Sequence, residues 1–138
     1  MSHYTVIQTQ VREVPALVAA LQAMGYKNVE VHEQAQPLYG YQGDRRPESA
    51  EVIIRRQYVG GAANDVGFKR QASGEFQAII SEFDRRAHCP PSWLQRLNYE
   101  YARNLIEDQM QREVENDRIV ERETLPNGSL VWTISERG

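Results

Sequence analysis

Apolar positions change period several times along the chain, and each change marks an element. Residues 3–11, His3 to Val11, are dense in β-branched side chains and predict a strand. Helical spacing takes over at Val14, Leu17, Val18, Leu21 and Met24. Pro15 suits a first turn and Gly25 the position just past a helix end, so the spacing predicts a helix from about Arg12 to Met24. Tyr26 to Glu33 leads into a second strand. Pro37, Gly40, Gly43 and Pro47 then make residues 34–49 a loop or an irregular edge.

Residues 51–58 read as a third strand, residues 60–64 as a turn and residues 65–71 as a fourth strand. Phe76, Ile79, Ile80 and Phe83 have helical spacing, but the segment is short and follows a hairpin-like glycine, so a strand is expected over 75–83. Ser92 and Gln95 match a capping box after Pro90-Pro91. A long helix follows to about Val114, with an apolar stripe of Leu94, Leu97, Tyr101, Leu105, Ile106 and Met110. Asn127-Gly128 is a hairpin signal joining Ile119–Leu125 to Ser129–Ser135, where Leu130, Trp132 and Ile134 alternate inward.

The predicted order is β-α-β-β-β-β-α-β-β within one domain spanning residues 1–138. Short connections favour a mainly antiparallel sheet, with the two amphipathic helices covering one face. This is an α+β fold.

Charge and composition narrow the function classes. Hydrophobic residues make up 41%, charged residues 25%, and the formal net charge is -3 with both signs scattered. That balance carries no broad basic footprint for nucleic acid and no polybasic membrane patch. No apolar run approaches the ~20 residues of a spanning helix. The first residues lack a secretory signal, and one cysteine, Cys89, suits a reducing compartment. A cytoplasmic location without membrane insertion is the expectation.

No catalytic constellation emerges. His3, His32 and His88 lack partners at ligand spacing, and a structural zinc site needs about four ligands, so no metal and no cofactor are expected. Cys89 lies in a proline-rich turn, where a nucleophile would need a base and a lowered pKa. Gly40-Tyr41-Gln42-Gly43 lacks the Gly-Lys-Ser/Thr ending of a phosphate loop. Its glycines, like Gly60-Gly61, read as turn or close-packing positions.

The chain resembles the hypothetical chloroplast open reading frame thirty-five family of cyanobacteria and algal plastids, a domain of unknown function. The residues that carry the likeness are Met1-Ser2-His3, Gly25-Tyr26, Gly40-Tyr41-Gln42-Gly43, Ala50-Glu51-Val52-Ile53, Asp65-Val66-Gly67-Phe68, Tyr101-Ala102 and Asn127-Gly128-Ser129-Leu130. The resemblance implies a small protein of oxygenic phototrophs, cytoplasmic or stromal. It brings no assigned chemistry and no catalytic residues.

Three readings stand. In the first, the chain is a non-catalytic binding or accessory module that meets a protein partner through Tyr41, Gln42, Arg45 and Arg46. In the second, it is a small-ligand sensor or enzyme with a pocket between sheet and helices, lined by Asp65, Tyr101 and Arg103. In the third, it binds nucleic acid weakly, with Tyr39, Tyr41 and Tyr58 interleaved among Arg45, Arg46, Arg55 and Arg56. The acidic balance and the lack of an RNA-recognition signature weigh against the third reading. A homo-oligomer is compatible with all three.

Overall fold

β-Branched and aromatic residues at Tyr4-Thr5-Val6-Ile7 suit a pleated backbone, and they form the first strand, β1 (Tyr4–Gln8). The computed structural model describes residues 3–115, 118–124, 126 and 130–136, with side chains for residues 3–114 and 126. After β1 come α1 (Val14–Ala23), β2 (Glu30–Tyr39), β3 (Arg45–Ile54), α2 (Arg56–Val59), β4 (Val66–Arg70), β5 (Phe76–Ser81), α3 (Glu82–Ala87), α4 (Pro91–Glu115), β6 (Arg118–Thr124) and β7 (Leu130–Glu136). The order matches the expectation, with the short helices α2 and α3 added.

The chain divides into two compact units, Met1–Tyr101 and Ala102–Gly138. In the first, five strands form an antiparallel sheet in the order β1-β5-β4-β3-β2. In the second, β6 and β7 pair antiparallel, from Arg118 opposite Glu136 to Thr124 opposite Leu130. The expected turn at Asn127-Gly128 and the inward alternation of Leu130, Trp132 and Ile134 lie outside the described residues and side chains.

Both long helices feed one core. Leu17, Ala20 and Leu21 of α1 pack with Trp93, Leu97 and Tyr101 of α4 over Val52, Ile54, Val66, Phe68 and Ile80 of the sheet. Trp93 stacks on Phe68 with ring centres 6.4 Å apart and donates its indole N–H to the Tyr26 hydroxyl at 2.8 Å. α1 begins with Pro15 in its first turn, and its N-cap residue Glu13 makes no side-chain cap. The Tyr101 hydroxyl serves there instead, accepting the backbone N–H groups of Arg12 and Glu13 at 2.9 Å each. The Glu13 N–H is among the donors that a helix start leaves unpaired, and the Arg12 N–H lies one residue before it.

Three local expectations change. α4 starts at Pro91, one residue before the expected cap at Ser92, and the Trp93 N–H donates to the Pro90 carbonyl at 2.8 Å. Proline is preorganised for a first helical turn, which sets that boundary. The stripe on α4 is buried at Leu97 and Tyr101, but Leu105 and Ile106 are exposed, because the core that α4 feeds ends at Tyr101. The third strand stops at Ile54 rather than running to residue 58, since α2 turns the chain at Arg56.

Residues 34–49 form the irregular edge, one of the two expectations: the upper halves of β2 and β3, joined by a turn at residues 40–44, with the register shifting between Val31 and Gln36 and again between Pro37 and Tyr39.

Those shifts bend the hairpin over the second face of the sheet. β2 and β4 are not neighbours in the sheet, yet Leu38 packs on Gly67 of β4. Leu38, Ala50, Ile53 and Ile79 form a small core there, with Tyr4 packed against it. Gly67 is the position that allows this closure. A Cβ on it would lie 2.7 Å from the Ala50 Cβ and 3.1 Å from both Leu38 methyl carbons. Gly67→Ala is therefore expected to destabilise the fold by about 1–3 kcal/mol through overpacking. Gly61→Ala, where an added Cβ meets nothing within 4 Å, serves as the control. Urea unfolding midpoints of the two variants check this.

Candidate functional site

Two buried polar residues, Asn64 and Asp65, enter β4 and organise the end of the molecule that carries the hairpin turn. Asp65 is 1% exposed. Its Oδ2 accepts the Tyr39 backbone N–H at 2.8 Å and an Arg55 guanidinium N–H at 2.9 Å, and its Oδ1 accepts the Arg56 N–H at 2.7 Å. The Asp65 N–H donates in turn to the Tyr39 carbonyl at 3.0 Å, and the Tyr4 hydroxyl donates to the Asp65 carbonyl at 2.7 Å. A buried carboxylate is tolerable when paired and hydrogen-bonded in this way.

Asn64 supplies the next clamp, its side-chain carbonyl accepting the Tyr41 N–H at 2.9 Å. Arg56 adds a third by donating to the Tyr41 carbonyl at 3.0 Å. The turn itself closes through Gly40 N–H to the Asp44 carbonyl and Gly43 N–H to the Gly40 carbonyl, both at 2.8 Å. The backbone of the Gly40–Asp44 turn is thus fixed from below, while Tyr41 is 44% exposed and Gln42 and Arg45 are also exposed.

Behind Asn64 lies a second buried group. Its side-chain amide donates to the Ser81 hydroxyl at 2.9 Å and to Asp84 Oδ2 at 3.2 Å, and its backbone N–H reaches the same Asp84 oxygen at 3.0 Å. Ser81 caps α3 by accepting the Asp84 N–H at 3.0 Å, and its own hydroxyl donates to Asp84 Oδ2 at 2.8 Å. His88 approaches Asp84 Oδ1 at 3.8 Å and contacts the Gly61 carbonyl at 3.0 Å. Ser81-x-x-Asp84 is a capping-box pattern legible in the sequence, and it is the signal that could have revealed both α3 and this cluster. Cys89 is buried beside it, and burial pushes its thiol up to about 12, with the nearby Asp84 adding to the effect. A thiol so held stays protonated at neutral pH and is a poor nucleophile.

The expected basic pairs are spent unevenly. Arg55 forks onto both Glu30 carboxylate oxygens at 2.8 and 3.0 Å, reaches Asp65 and the Pro37 carbonyl, and lies over the Tyr39 ring. Arg46 has a side chain only 13% exposed, pairs with Asp44 at 3.5 Å and lies over the Tyr4 ring. Arg45 is exposed and forms no ion pair among the described residues. Of Tyr41, Gln42, Arg45 and Arg46, the first three present side chains outward on or beside one turn, and Arg46 fastens that turn to β1.

Asp65, Tyr101 and Arg103 have separate employments. Asp65 holds the hairpin, Tyr101 caps α1, and Arg103 pairs with Glu107 at 3.4 Å in the second unit. Among the described residues, no group of three or more His, Cys, Asp or Glu side chains could hold a metal ion. No helix among them is long and apolar enough to cross a membrane.

Two outcomes follow. Asp65→Ala strands two backbone donors and leaves Arg55 without its buried partner, so a loss of about 3–5 kcal/mol is expected in urea unfolding. The second concerns Glu30. Hydrogen bonding from Arg55, and secondarily from His32, holds its carboxyl below the usual carboxylate range, against an opposing effect of burial. A depressed folded pKa contributes stability that is present above the unfolded value and is lost as pH falls through the folded one. Because Glu30 is more than a third exposed, the contribution is modest. Acid unfolding of Glu30→Gln is expected to show a shallower loss of stability below about pH 4.5 than the wild type does.

A family model described as a protein of unknown function (DUF1257) matches residues 20–131. That span contains the hairpin turn, the Asn64-Asp65 anchor and the Ser81–Asp84 cluster. No curated protein and no solved structure matches the chain.

Proposed function

We propose that this chain, which belongs to the DUF1257 family, is a non-catalytic binding or accessory module that meets a protein partner through the Gly40–Asp44 turn. One observation supports the reading most. Buried Asn64 and Asp65 spend their polar groups on fixing the backbone of a turn whose own side chains, Tyr41 and Gln42, stay exposed.

A turn held in one conformation loses little entropy on binding, which is the benefit of preorganisation. Tyrosine offers a large amphipathic contact at low conformational cost, and Arg45 adds a charge uncommitted within the described residues. The partner surface that suits this tip is acidic with an apolar centre. The resemblance to the chloroplast open reading frame thirty-five family supports a setting in the cytoplasm or plastid stroma of an oxygenic phototroph.

The test is affinity capture from native lysate with the wild type, with a triple variant (Tyr41→Ser, Gln42→Ala, Arg45→Glu) and with Tyr99→Ser as a surface control. Arg46 is left intact because its side chain is part of the fold. The expected result is a prey recovered with the wild type and the control, and reduced at least about tenfold with the triple variant. Equal recovery by all three overturns the proposal.

A further inference from the structure

The sheet of the first unit is open, and its two edges differ in chemistry. β2, at one end, carries the recognised protections of an edge strand. Glu30, His32 and Glu33 place titratable side chains along it, Pro37 removes a donor, and its register with β3 breaks twice.

β1, at the other end, has none of them. Tyr4-Thr5-Val6-Ile7-Gln8 contains no charge and no proline, and it runs in unbroken register with β5 from Tyr4 opposite Ser81 to Gln8 opposite Gln77. Val6, at its centre, is 55% exposed.

The hydrogen-bond parity of β1 is determined. The His3 carbonyl accepts from Glu82 N–H at 2.8 Å, and the Thr9 N–H donates to the Phe76 carbonyl at 3.2 Å. Antiparallel ladders alternate, so Thr5 and Ile7 also face β5. Tyr4, Val6 and Gln8 therefore direct their backbone N–H and C=O groups away from the sheet.

We infer that β1 is a self-association edge, pairing antiparallel with β1 of a second copy about a two-fold axis at Val6. In that register Val6 faces Val6 of the second copy and Tyr4 faces its Gln8, so every outward donor meets an acceptor and no like charges oppose each other. The same alignment on β2 would set Glu30, His32 and Glu33 against a similarly charged strand. β1 carries no charge with which to select a foreign strand, whereas its neutral sequence is complementary to itself. The axis is normal to the sheet, so the helices of both copies lie on one side of a continuous sheet. An isologous contact of this kind closes at two copies. A single five-residue edge falls short of the standard interface of about 1,600 Å², so the dimer is a micromolar to sub-millimolar one.

Val6→Pro tests the geometry selectively. It removes an N–H that points outward and spares the ladder to β5, where proline on an edge strand is tolerated. Sedimentation velocity on the full chain from about 10 µM to 1 mM is expected to show a reversible monomer–dimer equilibrium for the wild type. Val6→Pro and Val6→Lys are each expected to weaken it at least about tenfold while circular dichroism stays unchanged. On the wild type alone, amide exchange at Tyr4, Val6 and Gln8 is expected to slow as concentration rises. A wild type monomeric throughout, a dimer undiminished in both folded variants, or exchange at Val6 independent of concentration would each overturn the inference.

Discussion

The first unit depends on one buried carboxylate. Asp65 collects a backbone donor from β2, a guanidinium from the end of β3 and the N–H that opens α2. The first of those donors lies on a strand that the sheet order alone would keep away from Asp65, since β2 is not adjacent to β4. An apolar residue at position 65 could fill the space but could not pair the Tyr39 and Arg56 amides. Replacing a whole buried ion pair with apolar packing is often neutral or stabilising, although removing Asp65 alone is costly, so the Asp65–Arg55 pair is better understood as specifying an arrangement than as maximising stability. What it specifies is the curl of the β2–β3 hairpin onto Gly67, and with it the place of the exposed turn.

Much of this architecture was legible in the sequence, and the reasons are local. α1 announces itself through Leu17, Leu21 and Pro15, and the glycine past its end has φ 105°. β5 was legible only as far as Ser81, because Glu82 and Phe83, expected to continue the strand, open α3 under the Ser81 cap. Boundaries failed where a local rule competed with a distant partner. Pro37, Gly40 and Gly43 left a loop and an irregular edge both open, and only the fold shows that β2 is an edge strand whose register breaks absorb the proline while the two glycines sit in its turn. The third strand looked continuous to Tyr58 because nothing near Arg56 reveals that Asp65, nine residues on, accepts its N–H.

The candidate site was legible in position and illegible in mechanism. Gly40 to Gly43 and Asp65 to Phe68 both stood out, but as separate motifs. Their relation is a set of backbone-to-side-chain hydrogen bonds across more than twenty residues, which no spacing rule encodes. The arginine pairs show the same limit. Arg45 and Arg46 are adjacent, and strand alternation sends them to opposite faces, one exposed and one folded over Tyr4. Arg55 and Arg56 look like a second solvated pair, yet Arg55 bridges two carboxylates and Arg56 braces the turn. Net charge counts all four alike, and the fold leaves Arg45 outward.

Asn64 joins the two buried polar groups, and this bears on what the turn is for. Its side chain faces the Tyr41 amide with its oxygen and the Ser81–Asp84 cluster with its nitrogen. One residue thereby ties the hairpin tip to the start of α3. A buried network tied together at Asn64, Ser81 and Asp84 Oδ2 holds its geometry, because displacing it strands further buried donors and acceptors. A turn needed only to reverse the chain between β2 and β3 would not require such bracing, since Gly40 and Asp44 already close it. The extra anchoring from Asn64, Asp65 and Arg56 makes physical sense where the position of Tyr41 and Gln42 relative to the sheet matters. The proposed recognition of a partner is a role that would place that demand on an exposed tip.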